Sequence, residues 1–225
     1  AGNDTLIGDL DENLLIGGLG ADTLEGGSGN DTLYGVSFAG AEDNVADTLA
    51  GGTNNDLYHV GVGDVVTGET GGTDTVLVSG GLDAYTLGTG LETLGVADAA
   101  ATSGFTLAGN AGANSIAGAA GDDRLVGGAG NDTLAGGAGN DTADYAGNSV
   151  GQGINVTTTG GTDGVGGTDS LAGIEAVAGG AGNDTIGGFA TAAGGAGEDS
   201  ITGTGGADSL AAGEGANTLD AGDGN

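Results

Sequence analysis

Side chains that offer oxygen recur in this chain at nine-residue intervals, each beside residues too small to do more than bend the backbone. Asp4, Asn13, Asp22 and Asp31 form a first series, which Asp47 and Asp56 extend after an insertion around Val36 to Ala46. Asn114, Asp123, Asp132 and Asp141 form a second, and Asp184, Asp199, Asp208 and Asn217 a third. Carboxylates and amides repeated beside pliable backbone are chemistry for a hard cation. Calcium takes six to eight oxygens at about 2.3–2.6 Å and accepts backbone carbonyls as readily as carboxylates. Zinc and redox metals lack their ligands, since the sequence holds no Cys and one His.

Nothing else in the sequence assembles a reaction centre. His59 stands alone at a strand position with no nucleophile and orienting acid spaced around it, so packing explains it better than general-base work. Glycine-rich turns that cradle phosphate need a Lys where these carry Asp. Arg124, the one basic side chain, is expected to lie over neighbouring carboxylates. The sequon Asn-Asp-Thr at Asn3, Asn30, Asn131, Asn140 and Asn183 is generated by the repeat itself and reads as structural. A non-enzyme is expected.

The elements that must hold the acids are set by an unusual composition. Fifty-seven Gly, no Pro and a formal net charge of -31 would describe a disordered chain if the residues were unordered. Order must come from periodicity or from a bound cation. Collagen is excluded by the absence of a glycine triplet and of proline. One Lys or Arg against 32 Asp or Glu repels phosphate backbones and anionic lipid, so the expectation is no nucleic acid and no membrane insertion. No apolar run is long enough to span a bilayer, and no signal peptide is visible. The chain opens and closes inside a repeat, which leads to the expectation of a piece of something longer. Absence of cysteine fits either compartment, whereas weak calcium sites fill only outside the cytosol.

Aligning Gly17 to Glu25, Gly26 to Tyr34, Gly127 to Ala135 and Gly179 to Gly187 gives one nonapeptide, G-G-x-G-x-D-x-U-x, with U a large aliphatic residue. Glycines at positions one, two and four, among them Gly18, Gly20, Gly27, Gly29, Gly128, Gly130, Gly137 and Gly139, are expected to permit positive φ and close backbone approach in a tight turn. Position eight supplies the core, from Leu6 and Leu15 through Leu134 to Leu219. Between the glycine blocks, β-branched runs recur about every ten residues and read as strands. No window shows a helical period.

With this motif in register many times over, the chain resembles the RTX, or haemolysin-type, calcium-binding repeats of bacterial exported proteins. The resemblance implies an all-β fold, a right-handed parallel β-roll or β-solenoid with calcium ions between stacked glycine-rich turns. It also implies two nonapeptides per coil, so each ion would lie between turns 18 residues apart, held by position-six side chains and by carbonyls of the turn glycines. That pairs Asp4 with Asp22 and Asp123 with Asp141. Asn13 with Asp31, Asn114 with Asp132 and Asp199 with Asn217 would be weaker, one carboxylate being an amide.

Five segments follow: repeat blocks at 1–56, 109–144 and 179–225, separated by non-canonical β segments at 57–108 and 145–178. The latter two are expected to continue the coil with longer turns that hold no calcium, or to form caps or a small side-domain. By resemblance the chain is a calcium-binding, secreted, extracellular structural protein: a filament, surface-layer, adhesin or matrix scaffold that folds on calcium and self-associates. The rival is the non-catalytic repeat region of a type I-secreted enzyme or toxin.

Overall fold

The computed structural model describes residues 2–35, 44–79 and 81–223. Those residues hold short strands and no helix. They fall into two compact units, Ala1–Ala101 and Thr102–Asn225. Each unit is a coil of parallel ladders, the β-solenoid that the repeat implies.

In the first unit the strands Thr5–Ile7, Thr23–Ser28, Thr48–Thr53 and Val65–Val66 form one parallel sheet. Leu14–Ile16, Thr32–Tyr34, Leu57–Val60, Thr75–Val78 and Thr93–Val96 stack as a second. Most of these strands open with Thr and an aliphatic residue, as at Thr5–Ile7, Thr23–Ser28 and Thr48–Thr53, and alternation turns the aliphatic one inward. Leu24, Leu33, Leu49 and Tyr58 are fully buried in this way. Thr5 lies opposite Thr23 and Leu14 opposite Thr32, as the two-repeat coil requires. The next step is longer, Thr23 pairing with Thr48 and Thr32 with Leu57. Most of the insertion around Val36 to Ala46, namely residues 36–43, lies outside the described residues, yet the ladder resumes in register at Asp47. Register is protected because a slip of one residue would turn every buried aliphatic outward.

The second unit stacks Thr106–Ala108, Arg124–Val126, Thr142–Asp144, Ala176–Ala178, Thr191–Ala196 and Ser209–Glu214 on one side. Ile116, Leu125, Leu134, Ala143, Ile186 and Ile201 line its core. Two departures from the uniform coil occur here. The stretch from Gly188 to Ala193 shortens one coil, so Ala176 pairs with Thr191 and Thr185 with Ser200. In the segment 145–178 the coil does not simply run on with a longer turn. Asn155–Thr157, Gly160–Thr162 and Thr168–Ala172 form an antiparallel meander whose outer strands pair in parallel with Thr185–Gly187 and Thr133–Ala135. Thr158 and Thr159 fall in its tight turn, where antiparallel neighbours need a short link.

Two sequence expectations about single side chains are met. The Arg124 guanidinium pairs with the buried Asp144 carboxylate. His59 stacks on Tyr34 with ring centroids 4.0 Å apart.

Candidate metal centres

The turn glycines divide into two kinds, and the first expectation about them needs correcting. Positions two and four do take positive φ, as at Gly128 (104°) and Gly130 (116°), which only glycine adopts without strain. Position one does not; Gly17, Gly26, Gly127 and Gly136 have ordinary φ. Their constraint is space. A Cβ on Gly26 would sit 2.3 Å from Asp31 Oδ2, and one on Gly118 would sit 2.2 Å from Asp123 Oδ2 and 2.3 Å from the Gly136 carbonyl oxygen. Position one is therefore glycine because the acid five residues later folds back over it.

That fold-back is one half of a ladder linking each coil to the next. The position-six side-chain oxygen of a later coil, carboxylate or amide, accepts the position-six N–H of the coil before it: Asp22 Oδ1 from Asp4 at 2.7 Å, Asp31 from Asn13 at 2.8 Å, Asp132 from Asn114 at 2.8 Å, Asp141 from Asp123 at 2.8 Å, and Asn217 from Asp199 at 2.8 Å. All five sequence-derived pairs thus meet. Across the insertion Asp47 caps Asp22 and Asp56 caps Asp31. Asp199 caps Asp184 in the short coil. Asp208 departs from the pattern and accepts from Thr204 in its own turn. Position five works in the opposite direction: Asn3 accepts the Ala21 N–H, Asn30 that of Asn55 and Asn183 that of Glu198. This is the physical reason for the recurrent Asn-Asp pair, and it satisfies backbone donors that a turn would leave unpaired.

Each cap uses one carboxylate oxygen and leaves the second over. Oδ2 of Asp22, Asp31, Asp56, Asp74, Asp132, Asp141 and Asp199 is buried and receives no hydrogen bond. Asp123 and Asp184 differ, their Oδ2 atoms accepting the Ala119 and Gly180 N–H groups. Buried, unpaired anionic oxygens are costly, and with Arg124 the single Lys or Arg of the sequence, side chains cannot neutralise them. An oxygen-only cradle of negative charge, closed by glycine carbonyls, fits calcium and no softer metal.

The acid column also runs where the glycine turn is lost, which the sequence reading missed. Asp64 caps Asp47, Asp74 caps Asp56 and Glu92 caps Asp74 in the first unit. Asp169 caps Asp132 and Glu175 caps Asp141 in the second. Each of these acids stands two residues before a buried or half-buried aliphatic (Val66, Val76, Leu94, Leu171, Val177), the offset that position six keeps from position eight. The triplet acid-x-aliphatic was the available signal.

Desolvation pushes the carboxyls of Asp56 and Asp132 up to about 6, against backbone hydrogen bonds that pull the other way. Burial likewise raises Asp74, Asp141, Asp169 and Asp184. In the metal-free chain a raised folded value favours the protonated form. These groups therefore support folding below the ordinary carboxylate range and withdraw that support as pH climbs through about 6. Calcium-stripped protein should gain strand signal by circular dichroism between about pH 7.5 and about pH 4.5. With calcium present the trend reverses, because protons displace the ion. An unchanged metal-free spectrum across this window would show that these carboxyls titrate normally.

No curated protein matches the chain. A family model described as the RTX calcium-binding nonapeptide repeat (4 copies) matches residues 1–35, 108–143 and 193–225. Acid columns, glycine corners and two-repeat coils all coincide in these blocks, which belong to the RTX calcium-binding nonapeptide repeats and bind several Ca2+ ions.

Proposed function

We propose that the chain is a secreted structural element, an extracellular scaffold that folds where calcium is abundant. The ions lie between consecutive coils, held by the position-six side chains from Asp4 to Asn217 and by carbonyls of turn glycines such as Gly18, Gly20, Gly128 and Gly130. The observation that carries this reading is the row of buried, unpartnered Oδ2 atoms in a sequence with one basic side chain. Loss of an acid from one coil would uncap the N–H of its neighbour and empty the space beside it, so the coils are coupled through the same side chains that bind the ion.

A role in building structure, and not in chemistry, is supported by the environment of the one histidine, stacked on a tyrosine. No helix among the described residues is long and apolar enough to cross a membrane. Export by a type I route and assembly into filaments or layers belong to the same proposal. A calcium titration followed by circular dichroism and light scattering tests it. The expected midpoint lies at about 10⁻⁴–10⁻³ M, the range of extracellular modules, with scattering that rises as the coil forms. A midpoint in the range of cytosolic calcium buffers, about 10⁻⁹–10⁻⁸ M, would sink the extracellular reading. Scattering that stays at the monomer level in calcium would remove self-association and leave the repeat region of an exported enzyme or toxin as the better account.

A further inference from the structure

The coil turn preceding Thr75–Val78 breaks the repeat in an informative way. Counting back from Asp74 at position six, position one of this nonapeptide is Glu69, where the regular repeats carry glycine, as at Gly17, Gly26, Gly51, Gly118, Gly127 and Gly136. The residue lies between the segments that the family model matches, within the stretch 57–108 that was expected to hold no calcium. Its side chain turns into the coil. Glu69 Oε1 accepts the hydroxyl proton of Tyr58 and the Gly51 N–H, the latter at 3.2 Å. The Gly51 N–H also donates to the Tyr58 hydroxyl oxygen at 2.8 Å.

This anchoring leaves Glu69 Oε2 buried without a hydrogen bond, beside two further acids. Asp56 spends Oδ1 on the Asp31 N–H at 2.8 Å, and Asp74 spends Oδ1 on the Asp56 N–H at 2.7 Å. The remaining oxygens, Asp56 Oδ2, Glu69 Oε2 and Asp74 Oδ2, are buried without a hydrogen-bond partner. Asp56 and Asp74 are themselves 2% and 0% exposed. One carboxylate oxygen from each of the three residues lies within 4.8 Å of the others, a separation that one cation with ligands at about 2.3–2.6 Å spans. The sequence holds a single Lys or Arg, and its guanidinium is paired with Asp144, so no side-chain cation is left to neutralise the trio.

From this we infer that Asp56, Glu69 and Asp74 form a calcium site of their own, in which a carboxylate at position one replaces the glycine of the repeat and Tyr58 sets its orientation. The site shares Asp56 with the position-six series and goes beyond it through Glu69 and Asp74, which that series did not include. Tyr58 takes the place of the aliphatic core residue at position eight for a reason: a leucine there has no donor with which to hold Glu69.

The test uses the full chain, loaded with calcium, and counts bound ions by native mass spectrometry. Glu69→Gln should bind one calcium fewer than wild type while the other ions stay. Terbium replaces calcium at oxygen sites and emits when a nearby tyrosine is excited. In wild type this emission should include a component from Tyr58, lost in Glu69→Gln and in Tyr58→Phe. Equal calcium counts in wild type and Glu69→Gln would overturn the site and show three acids that share protons instead. If Glu69→Gln fails to fold, the wild-type and Tyr58→Phe pair decides: equal terbium emission overturns the site, and a loss supports it. A wild type that binds no calcium at all would instead strike the scaffold reading, so the two failures are distinguishable.

Discussion

In excess chelator at neutral pH the chain should lose essentially all of its strand signal, and millimolar calcium should restore it. The effect is expected to be this large because the fold has little else to stand on. One aliphatic side chain per nonapeptide fills each coil, as Leu24, Leu33, Leu125 and Leu134 do. Against that stand buried carboxylate oxygens with no partner, at Asp22, Asp31, Asp132, Asp141 and Asp199 among others. Each uncompensated buried charge costs several kcal/mol, and the whole stability of a domain is about 5–15 kcal/mol. A handful of such groups therefore outweighs the margin. Binding to the folded state alone then drives the equilibrium by mass action. Circular dichroism and hydrogen exchange, in chelator and in calcium, measure it. Full strand signal with slow exchange in chelator would mean that the coil carries itself and the ion is ornamental.

Gly118→Ala should be strongly destabilising for want of space alone, since its φ is ordinary. The new Cβ would meet Asp123 Oδ2 at 2.2 Å and the Gly136 carbonyl oxygen at 2.3 Å. The first contact displaces a carboxylate that caps the Phe105 and Ala119 N–H groups, and the second pushes on backbone of the next coil. Neither can yield cheaply. With one buried donor left unpaired at about 1–3 kcal/mol and an ion site disturbed as well, a loss of roughly 3 kcal/mol or more is expected. Gly187→Ala is the matched control, since its φ is ordinary and an added Cβ meets nothing within 4 Å; its effect should stay within about 0.5 kcal/mol. The calcium concentration at half-folding reads both. If the two variants move it equally, position one is glycine for some reason other than the acid that covers it.

Legibility of the sequence followed the strength of its periodicity. Where glycine, acid and aliphatic residues recur together, as from Gly17 to Tyr34 and from Gly127 to Ala135, strand positions, core column and coil length could all be read, because each residue type has one physical task there. Position one shows the limit of such reading. A glycine needed for positive φ and a glycine needed for clearance look identical in a sequence, and Gly26 is of the second kind while Gly27 is of the first. In the segment 57–108 the glycine signal fades and masked a column that continues through Asp64, Asp74 and Glu92. The antiparallel meander near Asn155–Thr162 pairs strands adjacent in sequence but is placed in the sheet by Thr133–Ala135 and Thr185–Gly187, pairings that no local pattern marks. Glu69 escaped for the opposite reason: the eye discards an acid at a glycine position, whereas contact with Tyr58 and two buried acids gives it a task.

The caps at position six run one way along the coil. Asp22 belongs to the later coil and serves the earlier one, as do Asp31, Asp132 and Asp141. A coil is therefore sealed only when its successor docks, and assembly acquires a direction like that of a zipper whose slider travels toward higher residue numbers. Fraying should be asymmetric in the same sense. A coil that loses the one after it bares its position-six amides and invites replacement, whereas a coil that loses the one before it keeps those amides covered, bares only the ones that position-five Asn had capped, and is left with idle acids.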